Sequence, residues 1–264
     1  MRIVVTFSIL VSLVFCPANR VPSPVTDQSV MATLWYQKSA EMRALSYQAF
    51  NLAEMRVEQY LAAPSGNLAP AVVFDIDETL LDNSPSEARN IMEGKLYSPA
   101  RWQEWTSTAS AKALPGSVEF CKFLEFNGIK IFYLSNRDTS DLLPTIQNMK
   151  DLGFPSTQPE QYLLRTVKSG KEDRRKVIRK NHEIILLVGD NLGDFSDLFE
   201  DRSQQYGFGA VDSLRREFGK RFIVLPNPMY GDWTKPLSQS APSLRPAKAA
   251  AHRRSQLDAF KKID

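Results

Sequence analysis

The stretch AVVFDIDETLLDN, residues 71–83, runs four apolar residues straight into Asp75, Asp77 and Glu78, with Asp82 close behind. Like charges a few ångströms apart repel, and burial makes this worse. Packing alone therefore does not gather acids at the end of a hydrophobic strand. Two further segments have the same layout. IFYLSNR places Ser135 and Asn136 after an apolar run, and EIILLVGDNLGDF places Asp190 and Asp194 after another. A hard divalent cation such as Mg²⁺, bound by carboxylates and waters, resolves the repulsion among converging acids. The plain alternatives are a polar strand exit for Asp75 and Asp77, and Gly-Asp-Asn turn chemistry with a helix cap for Asp190 and Asp194. Capping and metal binding are compatible. Thr79 reads as a local hydrogen-bonding residue, and Glu78 and Asp82 as solvated or orienting.

The elements that must position these residues alternate strand with helix. Short continuous apolar runs at AVVF, IKIFYL and EIILLVG suit parallel strands buried on both faces. Helices are expected over PGSVEFCKFLEFNG, TSDLLPTIQNMKDLGF, SGKEDRRKVIRKN and SLRREFGK, with QYLLR and RFIVLPN as further short strands. Between Val30 and Ala63 the residues Leu34, Tyr36, Met42, Leu45, Ala49, Leu52 and Met55 recur at helical spacing, so one long or two shorter helices precede the first strand. The stretch after Asn83 has helical patches and no strand signal. This alternation implies an α/β fold with a doubly wound, mostly parallel sheet and right-handed crossovers. In such a sheet ligands sit beyond the carboxyl ends of the strands, so the three polar clusters converge there.

The 264 residues are 43% hydrophobic and 24% charged, an ordinary globular balance. The net charge of +3 is concentrated in residues 238–264, where six Lys/Arg face two acids, leaving the body close to neutral. Nucleic acid is therefore not an expected partner. MRIVVTFSILVSLVFCPANR has an early Arg and an apolar run too short for a membrane span, which suits a signal peptide. Cleavage after Ala18 and lipid attachment at Cys16 both stay open, and with Cys16 the possibility of membrane anchoring. Cys121 lies in an apolar helical run and reads as a small buried hydrophobe. Two cysteines and two histidines make neither a disulfide framework nor a zinc site.

The motifs DIDETLLDNSP, LYSPARW, LPGSVEF, IFYLSNR, SGKEDRR, VGDNLGDF and LPNPMYGDW, in this order and spacing, resemble the haloacid dehalogenase superfamily. Within it the chain is most similar to the bacterial class C "DDDD" acid phosphatases and the outer-membrane lipoprotein 5'-nucleotidase type, over residues 30–237. The resemblance implies a Rossmann-like core with a small helical cap and an N-terminal helical segment. With the leader, composition and charge read above, the chain divides into a signal peptide at 1–18, a linker at 19–28, a phosphatase domain at 29–237 with a cap insertion over about 84–114, and a basic mobile tail at 238–264 that turns helical after Ala249.

The same resemblance implies roles. Asp75 is the expected nucleophile and Asp77 the acid and base. Asp190 and Asp194 complete a Mg²⁺ shell with Asp75 and the backbone carbonyl of Asp77. Ser135 and the Asn136 backbone hold phosphoryl oxygens, and Lys171 offsets their charge, with Lys168 as the alternative. Trp102 and Tyr230 fall where nucleobase or aryl groups stack in nucleotidase members. Trp105 and Trp233 read rather as core. Ser86 departs from the Tyr that often follows DNSP in those relatives. Superfamily members that dehalogenate lack an acid at the Asp77 position, which favours phosphate-ester chemistry.

The expected activity is Mg²⁺-dependent acid phosphatase action on small-molecule phosphate esters, nucleoside monophosphates or aryl phosphates. The expected protein is exported to the periplasm, outer membrane or cell surface, and a homodimer is possible. A surface binding or adhesion protein that keeps the scaffold is the second reading, against which the intact acids argue. A phosphomutase would need a second phosphate site, and no Gly-rich loop supplies one.

Overall fold

The computed structural model describes residues 23–64, 66–238 and 244–260, so the leader and Cys16 lie outside the described residues. The strands are β1 (Ala69–Phe74), β2 (Leu81–Asp82), β3 (Lys112–Ala113), β4 (Lys130–Tyr133), β5 (His182–Gly189) and β6 (Phe222–Val224). The helices are α1 (Pro24–Asp27), α2 (Val30–Lys38), α3 (Ala40–Ala62), α4 (Ser84–Glu93), α5 (Pro99–Thr106) and α6 (Ser117–Phe126). They continue as α7 (Leu142–Asp151), α8 (Glu172–Arg179), α9 (Phe208–Ser213), α10 (Lys235–Ser238) and α11 (Pro246–Ser255).

The central sheet has the order β4-β1-β5-β6 with every pairing parallel. Alternate side chains of the apolar strands enter opposite cores. Val72, Phe74, Leu186 and Val188 pack with α3, α6 and α7, whereas Val73 and Leu187 pack with Ile178 of α8 and with Phe195, Phe199 and Phe222. Both faces are thus covered, which accounts for the unbroken hydrophobic runs.

The chain leaves β1 toward β4 on one side, then crosses back to β5 on the other. The crevice between β1 and β5 is accordingly the switch point where open α/β sheets bind ligands. Register does the positioning. Phe74 pairs with Val188 on one side and Tyr133 on the other. The next backbone bonds, Asp75 N–H to Val188 O at 2.9 Å and Leu134 N–H to Phe74 O at 2.7 Å, bring the three strand ends level.

Several elements differ from the sequence expectation. Ser39 breaks the N-terminal helical stretch in two, its hydroxyl accepting from Met42 N–H at 3.0 Å as the N-cap of α3. The buried face of α3 is Met42, Ser46, Ala49, Phe50, Ala53 and Val57, while Leu34, Leu45 and Met55 are exposed. Small residues face inward where the helix lies close to the sheet. The stretch after Asn83 holds α4 and α5 as expected, but it also returns through β3, which pairs antiparallel with β2. Strands of two residues carry no readable period.

QYLLR makes a 3-10 turn and single bridges beside β4 rather than a strand. The late helix is Phe208–Ser213, and the expected SLRREFGK helix is replaced by turns, because the chain must reverse through Gly219 at φ +74° to enter β6. Helices lie within both the expected linker and the expected tail. Helix α1 lies within the expected linker, and α11 packs on it. Gln28 Nε2 donates to Ala250 O at 2.9 Å, with Val25 and Ala250 buried. Cys121 is free and buried, and burial pushes its thiol well up, as expected of an inert core residue.

Candidate active site

A cavity of about 840 Å³ opens at the carboxyl edge of the sheet. Asp75, Asp77, Asn136, Lys171, Asp190 and Asp194 line its floor, and Ser86, Trp102 and Tyr230 line its walls. The three strand-end clusters therefore converge as the alternation of elements implies.

Asp75, Asp190 and Asp194 each offer an oxygen, and these oxygens lie within 4.8 Å of one another. The turn after β5 arranges two of them. Asn191 and Asp194 form a reciprocal capping pair, with Asp194 Oδ2 accepting from Asn191 N–H at 2.9 Å. The Asp194 side chain lies so close to Gly189 that a Cβ there would overlap its carboxylate. The glycine ending β5 is thus needed for close approach. Asp190 is steered by Asn227, whose Nδ2 donates to Asp190 Oδ2 at 2.8 Å while its Oδ1 accepts from Met229 N–H at 3.0 Å. Asn227, between two prolines, thereby fixes an acid at one end and the Met229–Tyr230 turn at the other.

Lys171 is buried and bridges the acids, in contact with Asp75 Oδ1 and 2.7 Å from Asp194 Oδ1. Lys168 is exposed and does not line the cavity. Burial would lower the Lys171 pKa, but the carboxylates of Asp194 and Asp75 hold it above the ordinary lysine value. Burial pushes Asp75 up to about 7, opposed by Lys171, and raises Asp190 well above the carboxylate range, assisted by Asp194 and Asp75. One ammonium faces three converging carboxylates, so the group is short of positive charge. An all-oxygen donor set short of positive charge fits a hard divalent cation.

Of Asp77, the backbone carbonyl is the expected fourth ligand and the side chain the expected acid and base. Its carboxylate stands outside the three-acid group and is gripped by Arg137, with Nη2 at 2.8 Å and Nε at 3.0 Å from Oδ1. Ser135, expected to hold phosphoryl oxygens, is engaged with Asp77 and Arg137. It is buried, its hydroxyl donating to Asp77 Oδ2 at 3.3 Å and accepting from Arg137 N–H at 3.0 Å, whereas Asn136 is exposed to the cavity. Arg174 fixes this loop, with Nη1 2.6 Å from Ser135 O and Nη2 2.6 Å from Asn136 Oδ1. Arg175 is fully buried and donates to the carbonyls of Gly193 and Asp194 at 3.0 and 2.9 Å. The basic run of α8 is therefore only partly a solvated face.

Glu78, read as solvated or orienting, is wholly buried at φ +57°. Burial raises its pKa well above the carboxylate range, and its Oε1 accepts from Asn83 N–H at 2.8 Å. Thr79 is buried too, with no partner for its hydroxyl among the described residues. Of the aromatics, Trp105 is partly buried against the core, whereas Trp233 is exposed and donates to Tyr230 O at 3.1 Å.

Sequence reasoning missed Arg137, Asn83, Arg174, Arg175 and Asn227. Each sits inside a motif already singled out. Only Arg137 adjoins an expected site residue; the others lie three or more positions from one.

A parallel α/β sheet with acids from two strand ends and a buried lysine at its switch point defines a haloacid-dehalogenase-type phosphotransfer scaffold. The family comparison agrees: residues 14–233 match the HAD superfamily, subfamily IIIB (acid phosphatase), and the chain belongs to that family. It is similar to the class C acid phosphatase from Bacillus anthracis, 41% identical with a TM-score of 0.85, over 90% of this chain and all of that one. The tungstate-bound crystal structure of that enzyme matches equally well, at 40% identity and a TM-score of 0.85 over 90% and 100% of the two chains. Among curated relatives, the stem 31 kDa glycoprotein of Glycine max is 27% identical over 60% of this chain and 58% of its own length. Acid phosphatase 1 of Solanum lycopersicum is 26% identical over 60% and 57%. The chain thus spans under two thirds of the length of these plant relatives. Among the described residues, no helix is long and apolar enough to cross a membrane.

Proposed function

We propose that this protein hydrolyses small phosphate monoesters through an aspartyl-phosphate on Asp75. The observation that carries the reading is the convergence on one cavity floor of Asp75 from the end of β1, Asp190 and Asp194 from the turn after β5, and Lys171 from the start of α8. Asp75 attacks phosphorus, and splitting the displacement in two lowers each barrier. Lys171, already between Asp75 and Asp194, offsets charge gathering on the phosphoryl oxygens. Asp77 gives its proton to the departing alkoxide and then takes one from the attacking water. Asn136 stands at the cavity floor, where its backbone reaches phosphoryl oxygens.

Asp75, Asp190 and Asp194, with the Asp77 carbonyl, are the groups that would hold Mg²⁺. When bound it supplies electrostatic stabilisation of the transferring group and makes the proximity of the acids tolerable. Trp102 and Tyr230 in the cavity walls offer π faces to a nucleobase or aryl leaving group, a contact contributing ~1–3 kcal/mol. Ser86 lines the same wall and leaves room where an aromatic would narrow the choice. The leader sequence supports export, with Cys16 as the attachment point if the chain is lipidated. A panel of aryl, nucleoside and alkyl phosphates assayed with and without EDTA tests the reading. Metal-dependent release of phosphate supports it, and no turnover of any ester refutes it.

A further inference from the structure

Asp77 is the most heavily tethered acid at the cavity floor. Besides the two Arg137 nitrogens and the Ser135 hydroxyl, Asn83 Nδ2 donates to its Oδ1 at 2.8 Å. Asn83 is in turn oriented from its other end. Its Oδ1 accepts from Trp105 Nε1 at 2.8 Å and from Arg137 Nη2 at 3.3 Å, and both it and Arg137 are buried. Arg137 is braced a second time by Thr145, whose Oγ1 accepts from Nη1 at 3.0 Å.

An indole N–H only donates, so Asn83 must show its oxygen to Trp105 and its amide nitrogen to Asp77. The amide orientation is thus set by the tryptophan. Trp105 does not line the cavity, but Trp102, three residues earlier on α5, does. Residues three apart share a helix face, so one helical turn of the insertion carries both a cavity wall and the tether of the acid.

We propose that Trp105, Asn83 and Arg137 form a positioning relay that fixes the Asp77 carboxyl for proton transfer and couples it to the helical insertion. The proposal rests on the reading of Asp77 as general acid. Proton transfer requires hydrogen-bond reach to the leaving oxygen. A short side chain held by four donors has one orientation in which to provide it.

The test is the leaving-group dependence of kcat/KM, which reports only the first phosphoryl transfer. p-Nitrophenyl phosphate releases a stable phenolate that needs no proton, whereas glycerol phosphate releases an alkoxide that does. Asp77→Asn sets the benchmark, with the alkyl ester losing at least about 100-fold more than the nitrophenyl ester. Trp105→Phe keeps an aromatic ring, removes the indole donor, and is expected to lower the alkyl ester about fivefold more than the nitrophenyl ester. Arg137→Lys keeps the charge but not the fork; it gives the same asymmetry and serves if Trp105→Phe fails to fold. Equal losses on both esters, or none, in these two variants overturn the relay while Asp77→Asn keeps its asymmetry. Absence of asymmetry in Asp77→Asn itself overturns the general-acid reading, and the relay with it.

Discussion

The ammonium of Lys171 lies 2.7 Å from Asp194 Oδ1 and on its other side touches Asp75. One cation thereby joins the acid that ends β1 to the acid in the turn after β5. All three groups are buried, so the pairing acts in low dielectric, where removing one partner leaves the others uncompensated.

Replacing Lys171 by Ala is expected to lower kcat by about 10²–10³, the usual loss for removing one preorganised charge stabiliser. Lys168→Ala, on an exposed loop outside the cavity, is expected to leave steady-state rates at the parent level. Parallel kinetics of the two variants check the assignment.

Asn227 grips Asp190 from outside the three-acid group. Losing such a partner typically costs 10–100-fold in metal affinity. Asn227→Ala is expected to raise the Mg²⁺ concentration for half-activation by at least about tenfold, and EDTA to abolish turnover of the parent until Mg²⁺ is restored. A metal titration of activity reads both.

Arg175 holds the turn carrying Asp194 through two carbonyls and is 0% exposed. Arg175→Met leaves those carbonyls and Glu172 without their buried partner, and is expected to destabilise the fold by about 3–5 kcal/mol. Urea unfolding measures this directly.

In the insertion, Glu93 is salt-bridged to Arg89, Arg101 and Lys95, and these bonds lower its pKa from 4.5 to about 2. A carboxylate depressed in the folded state stabilises it above the unfolded pKa, and that contribution fades as pH falls through the folded value. Glu93→Gln is therefore expected to lower Tm slightly at pH 6, with the gap closing between about pH 4.5 and 2. Melting curves across that range check the sign. The pairs lie at the surface and are open to solvent screening, so the gap is small.

The parallel core was legible because β1, β4 and β5 are continuous apolar runs, and each ends in polar residues of unusual content. Asp75, Asp190 and Asp194 could be found for the same reason, since strand ends in such sheets meet. Asp77 could be found too, but not the contacts that hold it, because Arg137 and Asn83 reach it only after the chain has closed. The face of α3 was misjudged by weighing size. Leu45 and Met55 are large and exposed, while Ser46 and Ala53 are small and buried. Strands β2 and β3, two residues each, have no pattern to read. The roles of Arg174, Arg175 and Asn227 depend on carbonyls and carboxylates distant in sequence, which residue type alone does not reveal.

The most direct test of the account is acid-quench trapping of the phosphoenzyme during turnover of a labelled phosphate ester. Peptide mapping is expected to find the phosphoryl group on Asp75, and Asp75→Asn to carry no label and show no turnover. A label on another residue, or a parent-like rate in Asp75→Asn, would contradict the account.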